Sequence, residues 1–198
     1  MNDKLSAYRG KRDFRKTHEP KGKTTKQSGR QFVIQKHDAS SLHYDFRLEI
    51  DGVLVSWAVP KGLSTNPADK RLGIQTEDHP LDYADFEGTI PEEEYGGGTV
   101  MVWDRGQYTN MRAEKDNDNE SMTESLKNGL LEVWLEGEKL QGGYAIKRIG
   151  KEKKPHWLII KMRDDKADAR RNPTSTEPNS VKTNRTLKEI AQKAKDQQ

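Results

Sequence analysis

Two of the five histidines of this chain stand six positions apart in "KHDASSLHYDFRLEIDG", residues 36 to 52, and an aspartate and an arginine follow the second at intervals of two. Two imidazoles and a carboxylate are a ligand set for manganese, iron, cobalt or zinc, with further coordination positions left to water or substrate. An arginine in phase with them offers a planar fork that fits a phosphate or carboxylate. His37, His43, Asp45 and Arg47 are therefore the first candidates for a site. A second cluster lies in "EDHPLDYADFEGTIPEEEYGGG", where His79 sits between Asp78 and Pro80 in an expected loop, with Glu77, Tyr83, Asp85 and Glu87 close by. Positioned catalytic groups are common in such loops. Lys61 and Arg71 flank "GLSTNPADK" and add positive charge toward an anionic substrate.

These residues need a frame. In a strand, side chains alternate between faces, so His43, Asp45, Arg47 and Glu49 share one face and Tyr44, Phe46, Leu48 and Ile50 the other. Asp51-Gly52 signals a two-residue hairpin turn. That turn pairs Ile50 with Val53, Leu48 with Val55, Phe46 with Trp57 and Tyr44 with Val59, large against large on the core side. On the polar face it sets Arg47 opposite Ser56, Asp45 opposite Ala58 and His43 opposite Pro60, compact residues that leave space above the strand. His37 returns over the same face if "DASS" folds back.

Around this hairpin, short runs rich in β-branched and aromatic residues recur from Gln31 to Met162, separated by turn signals such as Pro60-Lys61-Gly62, Gly96-Gly97-Gly98 and Asp104-Arg105-Gly106. The expected fold is mainly β, a small closed or nearly closed antiparallel β-barrel of about eight strands with one or two short helices. "SMTESLKNG" and "TLKEIAQKAK" carry capping boxes, Ser121 with Glu124 and Thr186 with Glu189. Three segments are expected: a basic, flexible arm over 1–30, the barrel over 31–165, and a polar linker with a short C-terminal helix over 166–198.

The 198 residues carry a net charge of +3, with 31% apolar residues and no cysteine. Residues 1–30 hold ten Lys/Arg against three Asp/Glu and residues 166–198 eight against four, so the middle is at −8. Basic ends favour polyanions through counterion release, and an acidic middle suits a cation. The lack of cysteine excludes thiolate ligands, thiol nucleophiles and disulfides. With no apolar run near the roughly 18 residues of a membrane span, a soluble cytoplasmic protein is expected.

Three stretches carry a resemblance: "FVIQKHDASSLHYDFRLEIDGVLVSWAVPKGLS", "KRLGIQTEDHPLDYADFEGTIPEEEYGGGTVMVWDRG" and "LEGEKLQGGYAI". From about Gln31 to Met162 the chain resembles the 3′-phosphoesterase domain that accompanies the polymerase and ligase domains of bacterial DNA ligase D. The resemblance implies a small β-barrel that binds Mn2+, with Co2+ or Zn2+ as alternatives. It implies an enzyme acting on the 3′ ends of DNA primer-templates or duplexes, which removes a terminal ribonucleoside and then the 3′-phosphate left behind, before strand-break repair. By position, His37, His43 and Asp45 bind the metal and Arg47 and His79 hold the scissile phosphate. Gln35, Lys61, Arg71, Glu77 and Tyr83 match further positions lining that site, and Glu19 in "THEPKG" matches a functional glutamate. No polymerase or ligase segment is present, so a free-standing form working with a separate ligase and polymerase is the expectation.

Two rival readings rest on the residues alone. His43-x-Asp45 with His156, and Arg163 for a co-substrate carboxylate, matches a non-haem iron oxygenase, but leaves His37, Arg47 and His79 without roles. A non-catalytic DNA-end binder would use only the basic ends.

Overall fold

The computed structural model describes residues 3–22, 29–113, 120–150 and 156–196. It is mainly β, as the period-2 patterning requires. The strands are β1 (Gln31–Asp38), β2 (Leu42–Ile50), β3 (Val53–Val59), β4 (Lys70–Gln75), β5 (Gly88–Ile90), β6 (Gly98–Asn110), β7 (Leu130–Gly137), β8 (Gln141–Ile149) and β9 (His156–Lys161). Antiparallel pairing runs β1-β2-β3-β4-β9-β8-β7-β6, and β6 pairs back onto β1. Eight strands thus close a barrel, and β5 is added outside the ring on β6.

The β2–β3 hairpin has the register expected from its turn: Ile50 with Val53, Leu48 with Val55, Phe46 with Trp57, Tyr44 with Val59, Arg47 with Ser56 and Asp45 with Ala58. Asp51 (φ 49°) and Gly52 (φ 79°) both have the positive φ of a two-residue hairpin loop. The ladder ends at Tyr44–Val59, so His43 and Pro60 do not pair within it.

The inward residues of β2 and β3 join Phe32, Trp103, Trp157 and Ile159 in the barrel core. A second, smaller core lies on the outer side of the same wall, where Val33, Leu54 and Val102 meet Tyr8 and Tyr83. Because something covers it, the outward face of β1–β3 is buried despite its polar sequence. The cover is the N-terminal segment together with a 3-10 turn at Leu81–Asp85.

Several elements depart from the sequence reading. Residues 3–22, read as part of a flexible arm, pack against the barrel: Leu5 enters the main core and Tyr8 the outer one. Two buried aromatic and aliphatic side chains suffice to anchor a segment whose sequence has no regular period. Residues 1–2 and 23–28 of that arm lie outside the described residues. Among the described residues four short helices occur instead of one or two: α1 (Ser6–Gly10), α2 (Met122–Asn128), α3 (Pro173–Thr176) and α4 (Leu187–Lys195). α1 and α3 are too short to show a helical period.

The capping boxes of α2 and α4 are both formed, with Gly129 in the left-handed conformation ending α2. α4 docks through Ile190, which is buried in the main core. Gly106 is not a turn residue but the middle of the long strand β6. A Cβ there would lie 2.1 Å from the Glu136 carbonyl oxygen of β7, so close strand approach, not a reversal, requires glycine. Among the described residues no helix is long and apolar enough to cross a membrane.

Candidate active site

The β1–β2 hairpin brings the two histidines together. His37 and His43 are direct cross-strand partners, with ring centroids 4.8 Å apart, so "DASS" does fold back. Asp45 follows on the same outward face, its two oxygens 3.6 Å from His37 Nδ1 and 3.7 Å from His43 Nε2. One donor atom from each of the three lies within 4.8 Å of the others. No other group of three or more potential ligands is gathered among the described residues. His156, by contrast, opens β9, separated from β2 by β3 and β4. The geometry therefore gives no support to an oxygenase triad built with it.

The three residues fit a metal ion on two counts. His43 Nδ1 donates to the Ser41 carbonyl at 2.9 Å, which leaves the Nε2 lone pair facing Asp45. His37 turns Nδ1 toward Asp45, and that nitrogen is the donor atom it offers to the cluster. Ligands about 2.1 Å from a shared ion stand roughly 3–3.5 Å from one another, close to the separations present. Burial alone would raise the Asp45 carboxyl; Arg47, His37 and His43 outweigh it and hold the group far below the usual carboxylate range. It is a full anion, as a ligand must be.

Arg47 is almost fully buried and three of its five N–H groups are committed. Nε donates to Gln35 Oε1 at 2.7 Å, Nη1 to Ser56 Oγ at 2.8 Å and Nη2 to Asp45 Oδ2 at 3.1 Å. Gln35 is fixed in turn by donating to the carbonyls of Tyr83 and Phe86, both at 2.9 Å. Ser56, opposite Arg47 in the ladder, is thus more than a compact neighbour: its hydroxyl sets the guanidinium plane. Two N–H groups of Arg47 are left for a substrate oxygen.

His79 is held by a backbone bridge to Leu54, the two residues exchanging N–H···O bonds of 2.8 and 2.9 Å. Its Nδ1 donates to the Glu77 carbonyl at 2.9 Å, and Nε2 lies 3.3 Å from Arg12 Nη2. Arginine can only donate, so Nε2 carries the lone pair. Burial first, and then the charges of Arg47 and Arg12, push the imidazole well below its ordinary pKa. A neutral ring whose Nε2 accepts is poorly placed as a general acid in this state. Linkage fixes the sign of the consequence: below about pH 6.5 the unfolded chain takes up a proton that the native His79 refuses, so stability falls with pH there, by at most about 1.4 kcal/mol per unit for this group. In 1H–15N spectra the His79 ring should keep its neutral-form shifts from pH 8 to 5.5; a midpoint near 6.5 would contradict this assignment.

Arg12 had no signal in the sequence, standing in a lysine-rich stretch without periodicity. In the structure it is central. It donates to Glu19 at 2.9 Å and Glu77 at 3.2 Å, and its guanidinium stacks 3.8 Å from the Tyr8 ring centroid. Glu19 also accepts from Thr17 and from the Tyr83 hydroxyl, each at 2.9 Å. Glu19 therefore stands behind the site, supporting Arg12 and Tyr83, while Tyr83 itself lines the cavity with its ring 4.7 Å from that of His79. The cavity itself, of about 270 Å³, is lined by Arg12, His37, His43, Asp45, Arg47, Glu77 and His79 among others. Lys61 and Arg71 are not in that lining: Lys61 is exposed at the turn after β3, and Arg71 bonds Asp69 at 3.0 Å.

The chain is thus a closed eight-stranded barrel with a two-histidine, one-aspartate cluster and a clamped arginine on its outer wall. Residues 35–148 match the model of the DNA Ligase D 3'-phosphoesterase domain, and the chain belongs to that family of phosphoesterases. It is 47% identical over 189 residues to the "Multifunctional non-homologous end joining protein LigD" of Pseudomonas aeruginosa, covering 92% of this chain and 22% of that protein. It is 45% identical over 170 residues to the LigD protein of Mycolicibacterium smegmatis, covering 83% of this chain and 21% of that one. The "Multifunctional non-homologous end joining DNA repair protein LigD" of Mycobacterium tuberculosis gives 45% over 166 residues, 83% and 20%. The chain thus spans about a fifth of the length of these relatives.

Proposed function

We propose that this chain is a manganese-dependent phosphoesterase that trims DNA 3′ ends, removing a terminal ribonucleoside as a phosphodiesterase and a 3′-phosphate as a phosphomonoesterase. Its product is a 3′-OH end for repair by end joining. The observation that carries this reading is the convergence of His37, His43 and Asp45 with the free edge of Arg47 in one cavity. Family membership and the end-joining relatives support DNA ends as the substrate class, which geometry alone leaves open.

His37, His43 and Asp45 would hold the metal, which when bound supplies Lewis-acid charge at a phosphate oxygen and a more acidic bound water. Arg47 aims two N–H groups at the charge that grows on the phosphoryl oxygens as the ester bond breaks. Its bonds to Gln35, Ser56 and Asp45 fix that plane before substrate arrives, so little reorganisation accompanies the reaction. Arg12 keeps a second cation at the far wall, and neutral His79 orients it rather than competing for a proton. The Ser56 hydroxyl is committed to Arg47 and to the Leu54 carbonyl at 3.0 Å, and the Thr76 hydroxyl in the lining is turned to the Ser56 carbonyl at 3.5 Å. We infer direct attack by water; a phosphoenzyme trapped by rapid acid quench would refute it.

Metal removal tests the reading. Duplex primers ending in a ribonucleotide or a 3′-phosphate should be processed with Mn2+ and left intact after chelation, with activity restored on adding the ion back. Equal processing in excess chelator would overturn the metal-dependent reading. Binding without processing under every ion would favour the end binder.

A further inference from the structure

Tyr95 stands where the catalytic network meets solvent. Of the three large hydrophobic side chains left exposed among the described residues, Tyr95, 47% exposed, lines the cavity. Isolated exposed apolar residues are ordinary. Tyr95, however, is tethered by its polar end. Its hydroxyl accepts from Lys11 Nζ at 3.1 Å and donates to Glu77 Oε2 at 3.5 Å, while Glu77 holds Arg12. The Lys11 ammonium, which also bonds Glu77 Oε2 at 3.0 Å, sits over the ring 4.5 Å from its centroid, and the Arg12 guanidinium lies 5.6 Å from it.

The backbone around Tyr95 is as constrained as its hydroxyl. Glu94 N–H bonds the Pro91 carbonyl and Gly97 N–H the Glu94 carbonyl, both at 3.0 Å. A Cβ on Gly97 would fall 2.6 Å from the Pro91 oxygen, so the turn is tightly closed. Its neighbour Gly96 approaches the ring of the ligand His37. An aromatic ring is thus fixed beside the metal-ligand cluster with about half of its surface in water and the Lys11 and Arg12 cations near it.

We propose that Tyr95 is the stacking platform for the nucleoside on the 5′ side of the scissile phosphate, the one retained in the product strand; this rests on the phosphoesterase reading above. Every base has a π-face that an aromatic side chain can carry, which suits an enzyme indifferent to end sequence. Lys11 decides between the two nucleosides that flank the phosphate. Beyond the retained nucleoside the strand continues to another phosphate, which a cation beside the platform would meet. A terminal leaving ribonucleoside has none. Tyr95 is accordingly a positioning residue shared by the diester and monoester reactions.

The probe is 2-aminopurine, whose fluorescence is quenched on stacking, placed as the nucleotide bearing the 3′-phosphate in one duplex and as the nucleotide preceding a terminal ribonucleotide in another. Binding to the full chain in chelator should quench both. Tyr95→Ala should lose the quench and raise KM roughly 10- to 100-fold on both substrates, with kcat changed much less. Tyr95→Phe, which keeps the ring, should retain the quench. A quench unchanged in Tyr95→Ala overturns the proposal, as does a KM effect confined to the ribonucleotide-ended duplex. Equal loss in Tyr95→Phe and Tyr95→Ala would trace the effect to the hydroxyl network and overturn it too. If the wild-type chain processes neither duplex, the phosphoesterase reading fails, while the quench still reports stacking.

Discussion

Asp45→Ala lowers metal-dependent phosphate release from a 3′-phosphate primer by about 10³-fold or more and abolishes saturable Mn2+ binding in titration calorimetry, if the cluster works as its geometry indicates. One carboxylate serves both imidazoles and Arg47, so its removal dismantles three relationships together. The cluster loses its only anionic donor, and the two histidines left would hold a metal weakly. Arg47 loses the partner at 3.1 Å that fixes one arm of its fork, although Gln35 and Ser56 keep the other two contacts. The variant should therefore still fold, which circular dichroism checks. Activity within about tenfold of wild type would show that the metal sits elsewhere.

Arg47→Lys should cost about 10²–10³-fold in kcat with a smaller change in KM, despite conserving charge. Lysine presents a compact ammonium and cannot span Gln35, Ser56 and Asp45 while pointing N–H groups at a phosphate. It would follow Asp45 and leave Gln35 Oε1 and the Ser56 hydroxyl short of a donor in a buried wall. The loss falls on the transition state because charge on the phosphoryl oxygens grows as the ester bond breaks. Steady-state kinetics at saturating Mn2+ isolates the effect from metal affinity. A lysine variant with unchanged kcat would assign Arg47 to structure alone.

How the sequence led to this site can be traced through individual residues. The strand phase of 42–50 placed His43, Asp45 and Arg47 on one face, and Asp51-Gly52 fixed the facing register that the ladder reproduces. Both follow from local rules, the period-2 alternation and a turn that accepts positive φ. His79 was legible as a loop histidine, but its neutrality was not, because that depends on burial and on two arginines distant in sequence. Arg12 and Tyr95 were illegible as site residues. Nothing in their neighbours' sequence distinguishes them from solvated residues.

Period-2 runs and turn signals indicate about eight strands and a closed or nearly closed barrel, whereas β5, α1 and α3 are illegible because three to five residues carry no period. Gly106 misled as a turn because a glycine needed for close strand packing and one needed for a reversal look alike in sequence. The basic N-terminal residues misled in the other direction: composition marks a segment as core-poor but does not say whether a single Leu5 or Tyr8 will find a cavity to fill.

What the sequence by itself determined is the chemistry: a ligand set without thiolates, a phase that gathers two histidines, an aspartate and an arginine, and a hairpin that holds them. Tertiary structure alone decided that this outward face is buried, since the N-terminal segment and the 3-10 turn at Leu81–Asp85 fold over it. Exclusion of water there is what makes Arg47 and Asp45 a stiff, strongly coupled pair and keeps His79 uncharged. Alternation along a strand is a local property, whereas the covering of a polar face depends on residues dozens of positions away, and only the folded chain brings them into contact.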